Sequence, residues 1–126
     1  MNIHMKRRIT ITAFTLTILA LSIYGLVLHL ENTFTVVNQT GQALKSVRVV
    51  ICDQSFDLGN VRPGDMAWRS FQSTGSSSYT VRATLWDGTT AQCKDGYVAR
   101  GSFGEHDRIV IKGDRSIVFQ GNGYWP

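Results

Sequence analysis

The chain has 126 residues, with 13 Lys and Arg against nine Asp and Glu, and two cysteines. That length leaves room for one small domain with one modest core beside any targeting segment. Lys6, Arg7 and Arg8 crowd the N-terminus, so residues 31–126 hold ten basic against nine acidic side chains, and with no basic run there nucleic acid is excluded as the expected ligand.

Residues 9–30 form a run of twenty-two positions without a formal charge or a proline. At about 1.5 Å per residue a helix of that length covers the roughly 30 Å hydrocarbon core of a bilayer. The basic cluster precedes the run and Glu31 follows it. The positive-inside rule therefore predicts a cytoplasmic N-terminus over residues 1–8 and a single-pass signal anchor over 9–30. Residues 31–126 become a domain exported across the inner membrane to the periplasm or cell exterior. The alternative is a cleaved signal peptide, with Lys6 to Arg8 as its basic region and Ala20-Leu21-Ser22 as its cleavage site. The apolar run continues through Leu28, past that site, which favours the anchor. The run contains no cysteine, so a lipoprotein anchor is excluded. Thr10, Ala13, Thr17 and Ala20, continued by Tyr24, fall on one stripe of small or weakly polar side chains, a candidate helix-packing surface. The competing reading has each threonine bonding back to its own helix.

From Phe34 onward the sequence reads as short strands separated by turns. Phe34 to Val37 is β-rich and ends at Asn38-Gln39-Thr40-Gly41, which is also a glycosylation triplet. Residues 44–52 alternate, with Val47, Val49 and Ile51 on one face and Ser46, Arg48, Val50 and Cys52 on the other. Residues 55–58 form a short strand, and Arg62-Pro63-Gly64-Asp65 suits a type II turn. Residues 66–71 are extended, and 72–78 form a Ser/Thr/Gly connection. Residues 79–86 alternate most clearly: Tyr79, Val81, Ala83 and Leu85 oppose Thr80, Arg82, Thr84 and Trp86. Asp87-Gly88 then signals a two-residue hairpin, pairing Arg82 with Cys93. Lys94-Asp95-Gly96 reads as a turn. A last hairpin, 108–111 with 116–119, pairs Ile111 with Ile117 and Ile109 with Phe119. No helical period follows residue 31.

Seven or eight short strands in about a hundred residues predict an all-β fold, an immunoglobulin-like antiparallel β-sandwich. Cys52 and Cys93 are expected to form a disulfide in an oxidising compartment. By alternation both fall on outer faces, and no tyrosine stands two residues before Cys93, so the antibody hallmark is absent.

Catalytic chemistry finds little support. His106 is the one histidine after residue 31 and no Gly-x-Ser-x-Gly occurs, so a hydrolytic triad or a metal site would have to be built on Glu105-His106-Asp107. The simpler reading is a solvated turn, and no metal, cofactor or catalytic residue is expected. Binding surfaces favour aromatic and Arg side chains, and Arg48, Arg82 and Trp86 are predicted to share a face. They are the candidate protein-binding residues together with the terminal Tyr124 and Trp125. The expected function is a non-enzymatic, membrane-anchored interaction module, either an accessory subunit of a membrane complex or an immunity-type protein that binds a toxin. A small metal-binding or hydrolytic domain centred on His106 is the alternative.

Overall fold

A computed structural model describes residues 3–121, so Tyr124 and Trp125 lie outside the described residues. The chain divides into two units, residues 1–30 and 31–126. The first is a single helix, α1 (Ile3–Leu30). Its segment His4–Val27 is long and apolar enough to cross a membrane. The hydroxyls of Thr10 and Thr17 donate to the carbonyls of Lys6 and Ala13, at 2.9 and 3.0 Å. Thr12, Thr15 and Ser22 do the same one turn back. An apolar helix can carry these hydroxyls because each satisfies itself on its own backbone. On the candidate packing stripe the hydroxyls of Thr10 and Thr17 are thus turned back onto the helix.

Among the described residues the second unit contains eight strands: β1 (Asn32–Gln39), β2 (Ser46–Ile51), β3 (Gln54–Asp57), β4 (Met66–Phe71), β5 (Ser77–Thr84), β6 (Thr90–Val98), β7 (His106–Lys112) and β8 (Ile117–Gln120). They form two four-stranded sheets, β4-β1-β7-β8 and β3-β2-β5-β6, packed as a β-sandwich. Glu31 alone separates α1 from β1. The first sheet is mixed, not antiparallel as expected: β1 pairs antiparallel with β4 but parallel with β7. β1 occupies an interior position, with a hydrogen-bonded neighbour on each side.

The core follows the predicted alternation. Val47, Val49, Ile51, Val81 and Ala83 are fully buried, with Tyr79 and Leu85 nearly so. Phe34, Ile109 and Ile111 face them from the first sheet. Tyr79 is the centre of an aromatic group, its ring centroid 6.0 Å from Phe34, 6.0 Å from Phe71 and 5.9 Å from Phe119. Rings at such separations add directional attraction to the area they bury.

Turn chemistry decides three local outcomes. Arg62-Pro63-Gly64-Asp65 closes as expected, with Gly64 at φ +75° and Asp65 N–H donating to the Arg62 carbonyl at 3.1 Å. The β7–β8 hairpin also has the expected register, Ile111 opposite Ile117 and Ile109 opposite Phe119. The β5–β6 hairpin differs by one residue. Its loop is Trp86-Asp87-Gly88, closed by Leu85 N–H on the Thr89 carbonyl at 2.8 Å, and Cys93 faces Val81 instead of Arg82. A slip of one residue moves every side chain to the other face. Cys93 therefore points inward, where Val81 is buried.

The same register corrects the expected disulfide, since both cysteines are free thiols. Cys52 stands just past the end of β2, its N–H on Ser77 Oγ at 3.1 Å and its thiol on the Gly75 carbonyl at 3.1 Å. Cys93 lies on β6, beyond the intervening β5. Two strand spacings, about 9.6 Å, already exceed the ~7 Å between Cα atoms that a disulfide can bridge.

Asn38 is completely buried. Its amide nitrogen donates to the carbonyls of Gln42 and Val61, at 2.7 and 3.0 Å. Its side-chain oxygen accepts from the N–H and hydroxyl of Thr40, at 3.0 and 2.7 Å. The glycosylation triplet is thus a buried turn pin in the folded domain.

Candidate functional site

The exposed face of the second sheet carries the predicted arginines. Cross-strand pairing sets Asp57, Arg48, Arg82 and Gln92 in one row across β3, β2, β5 and β6. Ser46, Thr84 and Thr90 form the neighbouring row on one side. Ser55, Val50, Thr80 and Lys94 form it on the other. Each row shares a face because directly opposed residues in an antiparallel pair point the same way. Arg48, Arg82, Asp57, Ser46, Val47 and Thr84 line a shallow cleft of about 260 Å³.

Arg48 and Arg82 are directly opposed like charges, an arrangement that destabilises a sheet unless a counter-charge is supplied. Asp57 does not supply it through a close ion pair; its carboxylate accepts the Gly59 N–H at 3.0 Å. The close ion pair found among the described residues lies elsewhere, Arg115 with Asp87 at 3.6 Å. The cleft thus holds two guanidinium groups and one carboxylate whose hydrogen bond is local.

Trp86 is not part of this cleft. Sequence alternation had placed it beside Arg82, but the three-residue loop takes it off the strand, where it is 55% exposed at the β5–β6 turn. The structure therefore brings Arg48 and Arg82 together and sets Trp86 at the end of the same sheet.

A second concavity, which sequence reasoning missed, opens where β6 and β8 meet. It has a volume of about 390 Å³ and is lined by Tyr79, Asp95, Tyr97, Glu105, Asp107 and Phe119, among others. Tyr79 donates its hydroxyl to Asp107 at 2.7 Å. Burial, reinforced by the Asp107 carboxylate, holds the Tyr79 hydroxyl protonated far above the ordinary phenol range. Burial likewise raises the Asp107 carboxyl, partly offset by the Tyr79 hydrogen bond and the His106 charge. Glu105 is raised by burial and then by Asp107. The legible signal was the position of Asp107 two residues before Ile109, on the inward face of its strand.

Glu105-His106-Asp107 does not converge on one point. Glu105 and Asp107 line the cleft, whereas His106, between them on a strand, is absent from its lining and has its Nδ1 2.9 Å from Thr33 Oγ1. Strand alternation divides the triplet. Among the described residues no group of three or more His, Cys, Asp or Glu side chains is placed to hold a metal ion. The solvated-turn reading is also modified. Glu105 N–H donates to Asn32 Oδ1 at 3.1 Å, and the Glu105 carbonyl accepts from Thr33 N–H at 2.7 Å, so the segment is clamped to the start of β1.

No protein-family model matches the chain, and no curated protein matches it significantly. An NMR structure of a protein from Eubacterium rectale is similar in fold, with a TM-score of 0.55 and 17% identity, covering 73% of this chain and 88% of that one. At that identity the likeness is one of architecture.

Proposed function

We propose that the protein is a membrane-anchored, non-enzymatic interaction module. Its helix serves as a signal anchor with the N-terminus in the cytoplasm, and its sandwich, immunoglobulin-like in architecture, presents the Arg48–Arg82 face to a protein partner outside the inner membrane. The observation that carries this reading is the pair of opposed guanidinium groups on an exposed sheet face. They have no hydrogen bond or close ion pair among the described residues. Arginine is enriched where interfaces concentrate their energy, and a charge pair that costs the free domain stability is relieved when a partner supplies the counter-charge.

The test is mild-detergent extraction of the full chain at native expression, with the co-purifying protein identified and quantified for wild type, Arg48→Gln and Arg82→Gln. Loss of a stoichiometric partner in both variants supports the reading. Retention in both removes this face from it. Replacing Thr10, Ala13, Thr17 and Ala20 by leucine separates the two versions of the module: a complex subunit joined through the span dissociates, and an immunity-type protein that captures a toxin with its sandwich does not.

A further inference from the structure

Charge balance and hydrogen-bond capacity in the cleft identify the chemistry of what it takes, an inference that rests on the interaction reading above. We propose that the Arg48–Arg82 cleft binds a carboxylate side chain of an acidic, extended polypeptide segment, with a second carboxylate two residues along that segment reaching Lys94.

The two guanidinium groups and Asp57 give the cleft a net charge of +1. A carboxylate, charge −1, neutralises it. A phosphate dianion or a polyanion would leave negative charge against Asp57, which is held at the rim by its bond to Gly59 N–H. Guanidinium forks match a carboxylate in the plane, two N–H donors to two oxygens, so one carboxylate can be shared by two opposed arginines.

The surroundings favour an extended segment. On β2 and β5 the rows on either side of Arg48 and Arg82 consist of Ser46, Thr84, Val50 and Thr80, short side chains above which the arginines project. Lys94 is two residues along β6 from Gln92, which stands in the arginine row. Side chains two apart in extended chain repeat at about 6.6–6.8 Å, the same interval as the rows of the sheet. A segment laid along the strands with acids at positions i and i+2 therefore meets the arginine pair with one and Lys94 with the other.

The experiment uses the full chain, ¹⁵N-labelled, in detergent micelles. It is titrated with the synthetic peptide acetyl-Gly-Glu-Thr-Glu-Gly-amide, with the same peptide carrying Gln for Glu, and with inorganic phosphate. The expected result is a saturable shift of the amide signals at Arg48, Arg82, Thr84 and Lys94 with the Glu peptide, none with the Gln peptide, and no displacement by equimolar phosphate. Arg48→Gln and Arg82→Gln should each weaken binding about tenfold, the loss of one charge-assisted pair. Each should also unfold at a temperature equal to or above wild type, since a like-charge pair is relieved. Binding of the Gln peptide, displacement by phosphate, unchanged affinity in both variants or absence of any shift overturns the proposal. A cellular partner that depends on the arginines while the Glu peptide fails would leave the interaction reading standing and remove its carboxylate chemistry.

Discussion

Tyr79 of β5 and Asp107 of β7 are joined across the two sheets by a hydrogen bond of 2.7 Å from phenol to carboxylate. The tyrosine is 1% exposed, and its hydroxyl ties the two layers together at the end of the core where β6 and β8 leave it open. Tyr79→Phe keeps the ring and its three aromatic neighbours but removes the donor. It should cost about 1–2 kcal/mol, read as a fall in the thermal midpoint of the full chain in detergent by roughly 4–8 °C per kcal/mol. An unchanged midpoint would show that water replaces the hydroxyl without loss.

The Asp107 carboxyl, raised by burial, makes stability depend on pH. A carboxyl whose folded pKa lies above its unfolded value contributes stability that is fully present below the unfolded pKa and is lost as pH rises through the folded one. Asp107→Asn cannot titrate, and its side-chain oxygen still accepts from Tyr79. The stability of Asp107→Asn relative to wild type should therefore increase with pH through the carboxylate range and level off above it. Asp87 and Asp114, both lowered by hydrogen bonds from Thr89 and Ser116, act in the opposite sense but are common to both proteins. Denaturant midpoints compared from about pH 3 to 8 would refute this if the difference were constant.

Asn38→Ala should be among the most damaging single changes. It leaves the Thr40 N–H without its acceptor and takes one donor each from the Val61 and Gln42 carbonyls, which keep the Leu44 N–H and the Thr40 hydroxyl. One orphaned group costs about 1–3 kcal/mol and each further hydrogen bond lost about 1 kcal/mol, so a loss of about 2–4 kcal/mol is expected. Asn38→Asp provides a second reading, because it keeps the acceptor for Thr40 but sets a buried carboxylate oxygen against the Gln42 and Val61 carbonyls. At neutral pH it should lose at least as much as Ala, and it should recover in acid, where a protonated carboxyl can donate.

Gly96 lies at φ +70° where β6 inserts an extra residue, a bulge marked by the register change between Ser77 and Tyr79. An added Cβ would come within 3.1 Å of Tyr79 Cδ2 and 3.4 Å of Phe119 Cδ1. Gly96→Ala thus meets both a left-handed backbone, costing about 1–2 kcal/mol, and the ring that carries the inter-sheet bond. Gly88→Ala, at φ +83° with nothing within 4 Å, meets the backbone term alone. Equal losses in the two variants would mean that Tyr79 gives way freely.

Two free thiols predict a specific mass. Alkylation after denaturation without reductant should add two labels per chain, even when the protein is isolated from an oxidising compartment. Protein that takes up label only after reduction would place the cysteines closer than the register of β2, β5 and β6 allows.

The sheets were legible where side-chain period and turn chemistry agreed. Val47, Val49 and Ile51, or Tyr79, Val81 and Ala83, announce an inward face by alternation alone, and Pro63-Gly64 fixes its turn through two backbone preferences. Asp87-Gly88 misled because Asp-Gly suits both a two-residue loop and the end of a three-residue one. That single residue of ambiguity reverses the expected face of Cys93 and takes Trp86 off its strand. The β2–β3 turn carried no glycine signal at all, since Cys52 and Asp53 adopt φ +50° and +59° themselves. Parallel pairing of β1 with β7 links residues some seventy positions apart, and no local pattern encodes it. Alternation puts Arg48 and Arg82 on one outward face, but the β2–β5 pairing that opposes them is long-range and not legible, nor is the Tyr79–Asp107 cleft, which depends on how two sheets stack.

One residue of tether has a mechanical meaning. Because Glu31 alone stands between α1 and β1, a pull on the helix reaches the sandwich with almost no slack to absorb it. The strand that receives the load is laced to β4 on one side and β7 on the other. At its first residue the Asn32 side chain grips the Ser102 carbonyl at 2.8 Å and the Glu105 N–H at 3.1 Å. To be drawn out, β1 must part from both neighbours together. The domain is joined to its helix through an interior strand, and tension on α1 is carried into the middle of a sheet instead of peeling away its edge.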